Sequence, residues 1–239
     1  MLLLMLDRGE QVDEVVMFDW GMEFPEMYEH LDRIERYMGR PITRLRPKQS
    51  FLYYMLDHVK TRGPSKGKCG YGWPHWRRRW CTRIKMDELD KHIGKVATRC
   101  IGIASNEALK RCRRWTQYIT PMWGDEGTDR TRRFPLVEWN VDDREIIPYC
   151  RARGFDWGGL YDERRGLHVS CWHCALQSRR SLIALHDEYP ELWDRLLDMD
   201  GLSPFPWPGR DLDRAQRFIA ERTEDREMLV SATQTEGQG

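Results

Sequence analysis

Two thiols stand three positions apart in the run Ser170-Cys171-Trp172-His173-Cys174. A C-x-x-C pair of this kind can place two thiolates on one metal ion or cluster. The plainer reading, two loop cysteines with one packed inward, stays open beside it. His173, between them, is either a further ligand or a solvent-facing imidazole. Cys81 is a third candidate donor, and Cys69 lies in the same loop system as Cys81. Cys100, Cys112 and Cys150 fall in helix or strand patterns and read as small apolar side chains.

The second chemical feature is the run Gly70 to Lys85, GYGWPHWRRRWCTRIK. It gathers Arg77, Arg78, Arg79, Arg83 and Lys85 among tryptophans and a tyrosine. Arginine presents a planar fork matched to phosphate or sulfate oxygens, and the aromatic rings could stack a base. The run reads as a pocket for a phosphorylated nucleotide or as a strip for single-stranded nucleic acid. A solvated basic loop anchored by its tryptophans is the bland alternative. A third feature is the strand exit Asp19 to Glu26, DWGMEFPE. There Gly21 would let a ligand approach the backbone, and Glu26 suits the first turn of a helix.

The elements that must position these groups follow from pattern and punctuation. Residues 1–9 read as the end of a helix and Glu14 to Asp19 as a buried strand. A helix is expected from Pro25 to Met38, with Met27, Leu31, Ile34 and Met38 on one face and Gly39 as its stop. Ile42 to Leu45 reads as a strand, and Ser50 as the N-cap of a helix over Phe51 to Lys60. Residues 61–80 read as a long functional loop, Thr82 to Ile93 as a helix and Cys100 to Ala104 as a strand. Residues 120–133 read as polar loop, Asp142 to Arg153 as a helix closed by Gly154, and 155–175 as irregular. Gln177 to Met199 is helical with a break near Pro190, Leu212 to Glu221 is the last helix, and the tail from Thr223 is expected to fray. The alternation of strands and helices predicts an α/β fold with a doubly wound, mostly parallel sheet. Ligands of such sheets lie beyond the carboxyl ends of the strands, where Asp19, Gly21 and Gly102 to Asn106 fall. The expected division is a body over 1–200 and a C-terminal helix and tail over 201–239.

Composition narrows the classes. The chain has 239 residues, 40% of them hydrophobic and 32% charged, with a net charge of +1. Anion binding must therefore come from local clusters. Seven cysteines without a secretion signal favour free thiols or ligands over a disulfide framework. The apolar start Met1 to Leu6 is too short for a signal-peptide core or a membrane span. A cytoplasmic location without membrane association is expected.

Together these segments resemble the phosphoadenosine phosphosulfate (PAPS) reductase family of the adenine-nucleotide α-hydrolase-like, or PP-loop, superfamily. FDWGMEFPEMY (Phe18 to Tyr28) is similar to that family's strand-end D-T-G followed by F-P-E-T, and RRWCTRIK (Arg78 to Lys85) to its cysteine motif with trailing basic residues. IGIASNEALKR (Ile101 to Arg111), FPLVEWNVDD (Phe134 to Asp143) and GLYDERRGLHVSCWHC (Gly159 to Cys174) resemble its later segments in order and spacing. The match extends over roughly residues 1–190.

The resemblance implies an adenine nucleotide (PAPS, adenylyl sulfate or ATP) beside Asp19, Gly21, Glu23, Phe24, Gly102, Ile103 and Glu107. It implies phosphate or sulfate oxygens on Arg77, Arg78, Arg79, Arg83 and Lys85. It further implies a [4Fe–4S] cluster or zinc on Cys81, Cys171 and Cys174, with Cys69 supplying the fourth donor because Trp80 stands at the family's other cysteine position. Three departures accompany it. The residues open inside the helix that follows the family's S-G-G-x-D-S loop, so the first strand and that loop are expected to be missing and a sheet edge beside residues 14–19 to be uncovered. No cysteine follows Cys174, where sulfonucleotide reductases carry their nucleophile. Asn106 and Trp20 replace an acidic residue and a threonine. The expected function is a PAPS reductase-like enzyme, with no catalytic residue assigned. The alternatives are an ATP-dependent nucleic-acid sulfur-modification enzyme and a non-catalytic nucleotide-binding relative. A thiol reductant, a nucleic acid and a second copy of the chain are the expected partners beside the nucleotide.

Overall fold

The computed structural model describes residues 1–94, 98–107, 131–167, 169 and 171–236. The chain divides into two compact units interleaved along the sequence. One comprises 1–19, 26–47 and 84–159, and the other 20–25, 48–83 and 160–239. The boundary expected near residue 200 falls inside the second unit, within the helix Pro190–Leu202.

The first unit is α/β. Strand β1 (Val16–Phe18) leads through the helix Pro25–Met38 to β2 (Thr43–Leu45), which pairs parallel with it, Val16 opposite Thr43 and Phe18 opposite Leu45. A parallel pair needs a crossover, and this helix supplies it. Strands β3 (Thr98–Cys100) and β4 (Thr131–Arg133) form a second parallel pair. Parallel pairing is as expected, but the described strands make two separate pairs rather than one doubly wound sheet. Strand β4 corrects the expectation of polar loop through residue 133. Its Thr-Arg-Arg sequence has no apolar alternation to betray a strand. The pairing is supported instead by Arg133, whose guanidinium meets Glu10 at 2.9 Å and Glu138 at 2.6 Å. The remainder of that expected loop, 120–130, lies outside the described residues, as does Cys112.

The helix Asp143–Arg151 starts on a capping box. Asp142 accepts the Arg144 amide at 2.9 Å, and Glu145 reaches back to the Asp142 amide at 3.1 Å. Leu3, Cys150 and Phe155 form a buried cluster with Ile34, Ile146, Tyr149 and Trp157 packed on it. Cys150 thus behaves as the small apolar side chain expected, whereas Cys100 is only half-buried.

The second unit is helical and turn-rich. Ser50 caps the turn that follows it, accepting the Tyr53 amide at 3.1 Å, and that turn widens into a π-helix over Tyr53–Asp57. The helices Arg179–Glu188 and Pro190–Leu202 meet at the expected break, with Pro190 opening the second. The last helix runs Asp211–Glu236, well past the expected fraying point. The stretch after Thr223 is polar but holds no glycine or proline before Gly237, so nothing in the backbone stops it. Arg222 on this helix pairs with Asp187 of Arg179–Glu188 at 2.8 Å.

His30 tests the first unit's packing. It is buried between Phe155 and Trp157, at ring distances of 5.7 and 4.9 Å. Burial first, and then the Arg33 charge, lowers its pKa to about 4. The unfolded chain takes up this proton near pH 6.5, before the folded one does. Stability is therefore expected to fall as pH drops from about 6.5 towards 4, by up to about 1.4 kcal/mol per pH unit from this group. Denaturant melts of the wild type and His30→Gln across that range check this, the variant giving the shallower pH slope.

Candidate functional site

The chemistry-bearing thiols gather in the second unit, on a turn fastened at both ends. The Trp172 amide donates to the Met22 carbonyl at 3.2 Å, and the Cys174 amide closes onto the Cys171 carbonyl at 3.0 Å. Gln177 then locks the exit. Its amide donates to the Cys174 carbonyl at 3.2 Å and its side chain to the Trp172 carbonyl at 3.0 Å. The Ser181 hydroxyl in turn donates to Gln177 at 3.0 Å from the first turn of Arg179–Glu188. The Trp172 ring is buried with the Arg195 guanidinium 5.3 Å from its centre.

This turn sets Cys171 beside Glu23, its Sγ donating to Oε1 at 3.5 Å. Cys81, at the start of the helix Trp80–Ile93, lies within electrostatic reach of both Cys171 and Cys174. The sequence-level trio is therefore brought together. The three thiols nevertheless differ. Burial above all, and then the Glu23 carboxylate, pushes Cys171 far up. Burial raises Cys81 too. Burial also raises Cys174, but the Leu176 amide and the Arg79 charge oppose it. Cys174 is the thiol whose anion has a donor and a cation waiting.

His173 is neither solvent-facing nor posed as a ligand. It is 2% exposed, with Phe51 at 4.2 Å and Trp73 at 6.4 Å between ring centres. Its pKa is lowered to about 3, by burial and then Arg195, so the ring is neutral at ordinary pH. Cys69 is exposed and sits opposite Val59 in a hairpin, where it acts electrostatically on Lys60. It is not among the groups that act on the three thiols. Trp80 holds the position at which a cysteine was wanted. Its indole donates to the Gly72 carbonyl at 3.0 Å, and its ring packs 4.8 Å from Phe51.

Three soft donors and a carboxylate in one place suit a soft metal in their chemistry. Among the described residues, however, no three His, Cys, Asp or Glu side chains stand in a geometry that could hold a metal ion. The four-cysteine cluster with Cys69 does not fit these side chains.

The expected nucleotide residues divide between the units. In the first, Asp19 is 1% exposed. It accepts the Tyr28 hydroxyl at 2.8 Å, and Arg46 stands 3.5 Å from its other oxygen. Gly102 is exposed, and Ile103 and Glu107 are half-buried. Asn106 exchanges hydrogen bonds with Asp143, 2.7 Å to its carboxylate and 3.2 Å from its amide. In the second unit, Gly21 is exposed with φ +72 and open space where a Cβ would be. Phe24 is buried against Tyr189 at 5.0 Å and serves as a core anchor. Of the basic group, Arg77, Arg78, Arg79, Arg83 and Lys85 are all exposed. Sequence reasoning missed the hydrogen bond of Cys171 to Glu23 and the electrostatic effect of Arg79 on Cys174. It also missed Lys60, whose burial no local pattern signals.

The first unit is thus a parallel α/β unit and the second a helical unit that carries the C-x-x-C thiols. Residues 1–177 match the phosphoadenosine phosphosulfate reductase domain, and the chain belongs to that family. It is also 25% identical over 213 residues to an uncharacterised protein of Methanocaldococcus jannaschii, covering 82% of this chain but 37% of that protein. The chain thus spans little more than a third of the length of the curated relative it matches. No solved structure matches it. No helix among the described residues is long and apolar enough to cross a membrane.

The thiols are expected to alkylate in a fixed order. Exposed Cys69 should react first, Cys174 next and Cys171 last, with both members of the pair slow at pH 7 because burial keeps them protonated. Arg79→Ala should slow Cys174 several-fold without affecting Cys69, as read by mass spectrometry after timed iodoacetamide exposure.

Proposed function

We propose that this chain is a PAPS reductase-like enzyme domain that binds an adenine sulfonucleotide and directs its sulfonyl sulfur to the Cys171/Cys174 dithiol. Family membership supports the nucleotide class, since members of this family act on adenine sulfonucleotides. The observation that carries the chemistry is the asymmetry of the C-x-x-C pair. Cys174 has the Leu176 amide and the Arg79 charge in favour of its thiolate, while Cys171 is held protonated beside Glu23.

Such a pair performs a balanced two-electron reduction. The Cys174 thiolate attacks sulfur and breaks its bond to the bridging phosphate oxygen, leaving an S-sulfonated cysteine and the nucleotide phosphate. Cys171 gives its proton to Glu23 and attacks the Cys174 sulfur, releasing sulfite and closing a disulfide. Sulfur falls from the +6 to the +4 state as two thiols become one disulfide, which an external dithiol reductant then reopens. On this reading Arg79, whose charge favours the Cys174 thiolate, meets the sulfonyl oxygens. On this reading no cysteine beyond Cys174 is required.

The test is a single-turnover reaction of the reduced protein with PAPS and, separately, adenylyl sulfate. One sulfite and one disulfide per chain are expected. Cys174→Ser should abolish both products, while Cys171→Ser should trap the sulfonated protein, seen as a mass increase of about 80 Da. Sulfite release that survives in Cys174→Ser, or thermal stabilisation by ATP but by neither sulfonucleotide, would sink the proposal.

A further inference from the structure

Between His58 and Arg83 the chain carries Lys60, Arg62, Lys66, Lys68, Arg77, Arg78, Arg79 and Arg83, and no Asp or Glu. The whole chain has a net charge of only +1, so its acids lie elsewhere. None of these eight cations forms an ion pair with a described residue. Other basic residues of the same chain, such as Arg133, Arg153 and Arg222, are each matched to a carboxylate.

Two local structures organise the segment. In the first, Val59 and Cys69 bridge an antiparallel hairpin. The Lys60 amide donates to the Lys68 carbonyl at 3.0 Å, and the Gly67 amide to the Lys60 carbonyl at 2.8 Å. Lys60 is only 6% exposed, and its ammonium has no hydrogen-bond partner among the described residues. It lies 4.7 Å from the centre of the Phe205 ring. The charges of Arg78 and Lys68 press on it, disfavouring its charged form further after burial has already done so. A buried ammonium among cations is costly unless something negative joins it. In the second structure, His75 and Arg78 exchange backbone hydrogen bonds at 3.2 and 2.8 Å, which puts Trp76 and Arg77 at the tip of a tight turn. Trp76 is 67% exposed, and the Arg77 guanidinium rests 4.5 Å over its ring. A large indole left open to water beside unpaired arginines offers one face to a planar, anionic partner.

We propose that this segment binds single-stranded nucleic acid, with its phosphodiesters held by the exposed Lys68, Arg77 and Arg78 and an unpaired base stacked on Trp76. A free nucleotide presents its phosphates at one point, whereas these cations extend along the segment. The Trp76 ring stands open rather than walled, as a platform for one base in a strand would be. A duplex keeps its bases stacked on one another and has no use for that face. The surface uses none of the thiols and needs no sulfonucleotide, so strand binding and sulfite release are read out separately.

The test is fluorescence anisotropy of labelled single-stranded DNA and RNA of about 12 nucleotides with the full chain. Binding is expected to weaken at least about tenfold between about 50 and 200 mM salt. Trp76→Ala, at an exposed tip where folding is not at stake, should weaken it about fivefold or more. Arg77→Ala with Arg78→Ala should flatten the salt dependence, and Lys68→Met should weaken binding. The proposal is overturned if binding is absent or indifferent to salt, or if the Trp76 and Arg77/Arg78 variants bind as the wild type does. It is equally overturned if PAPS or inorganic phosphate at equal concentration displaces the strand, or if a duplex of the same length or phosphatidylserine vesicles bind more tightly.

Discussion

A single backbone hydrogen bond, from the Trp172 amide to the Met22 carbonyl, determines what the thiol turn can be. It fastens the Cys171–Cys174 turn to the segment Trp20–Pro25, and in doing so brings Glu23 to Cys171. The burial of Trp172 and the Gln177 bonds keep the turn from relaxing. Two chemically identical side chains, both raised by burial, thereby acquire different neighbours, one a hydrogen-bonded carboxylate and the other a backbone amide and a cation. In water a C-x-x-C peptide would show no such division. It arises from the low dielectric and the fixed neighbours.

Trp80 shows how a family position changes trade. Where the related motif has a ligand thiol, this chain has a buried indole that bonds to Gly72 and packs with Phe51, Tyr54 and Tyr71. Trp20 meets Phe51, Tyr54 and Trp80 edge-on at 5.8 to 6.1 Å. An aromatic cluster thus occupies the position at which the related motif has a fourth donor, and Cys81 beside it lies within electrostatic reach of the pair. The two replacements, tryptophan for cysteine and tryptophan for threonine, support one another in space.

Much of the fold was legible because its signals are local. The helix Pro25–Met38 has proline at its start, glycine after its end and an apolar face between. Asp142 and Glu145 spell out a capping box, and Pro190 marks a break that the chain obeys. The failures are places where distant partners decide. Strand β4 is held by pairing with β3 and by two glutamates, none of which its own residues announce. At the site, residue type disclosed the thiols, but partner choice did not follow from spacing. Cys69 went to a hairpin with Val59, and His173 to the core with Phe51. Lys60, a lysine in a polar stretch, gives no local sign that tertiary packing covers it.

The arrangement of Gly72 has a bearing on how the basic segment is held. A Cβ at this residue, whose φ is +65, would come within 2.6 Å of the Phe205 ring, the same ring that lies under Lys60. The carbonyl of Gly72 meanwhile receives the Trp80 indole. One residue without a side chain therefore serves as the common shim between the aromatic cluster beside the thiols and the floor beneath the buried ammonium. Anything bulkier there would pry both apart at once, so the two surfaces share a single point of mechanical failure.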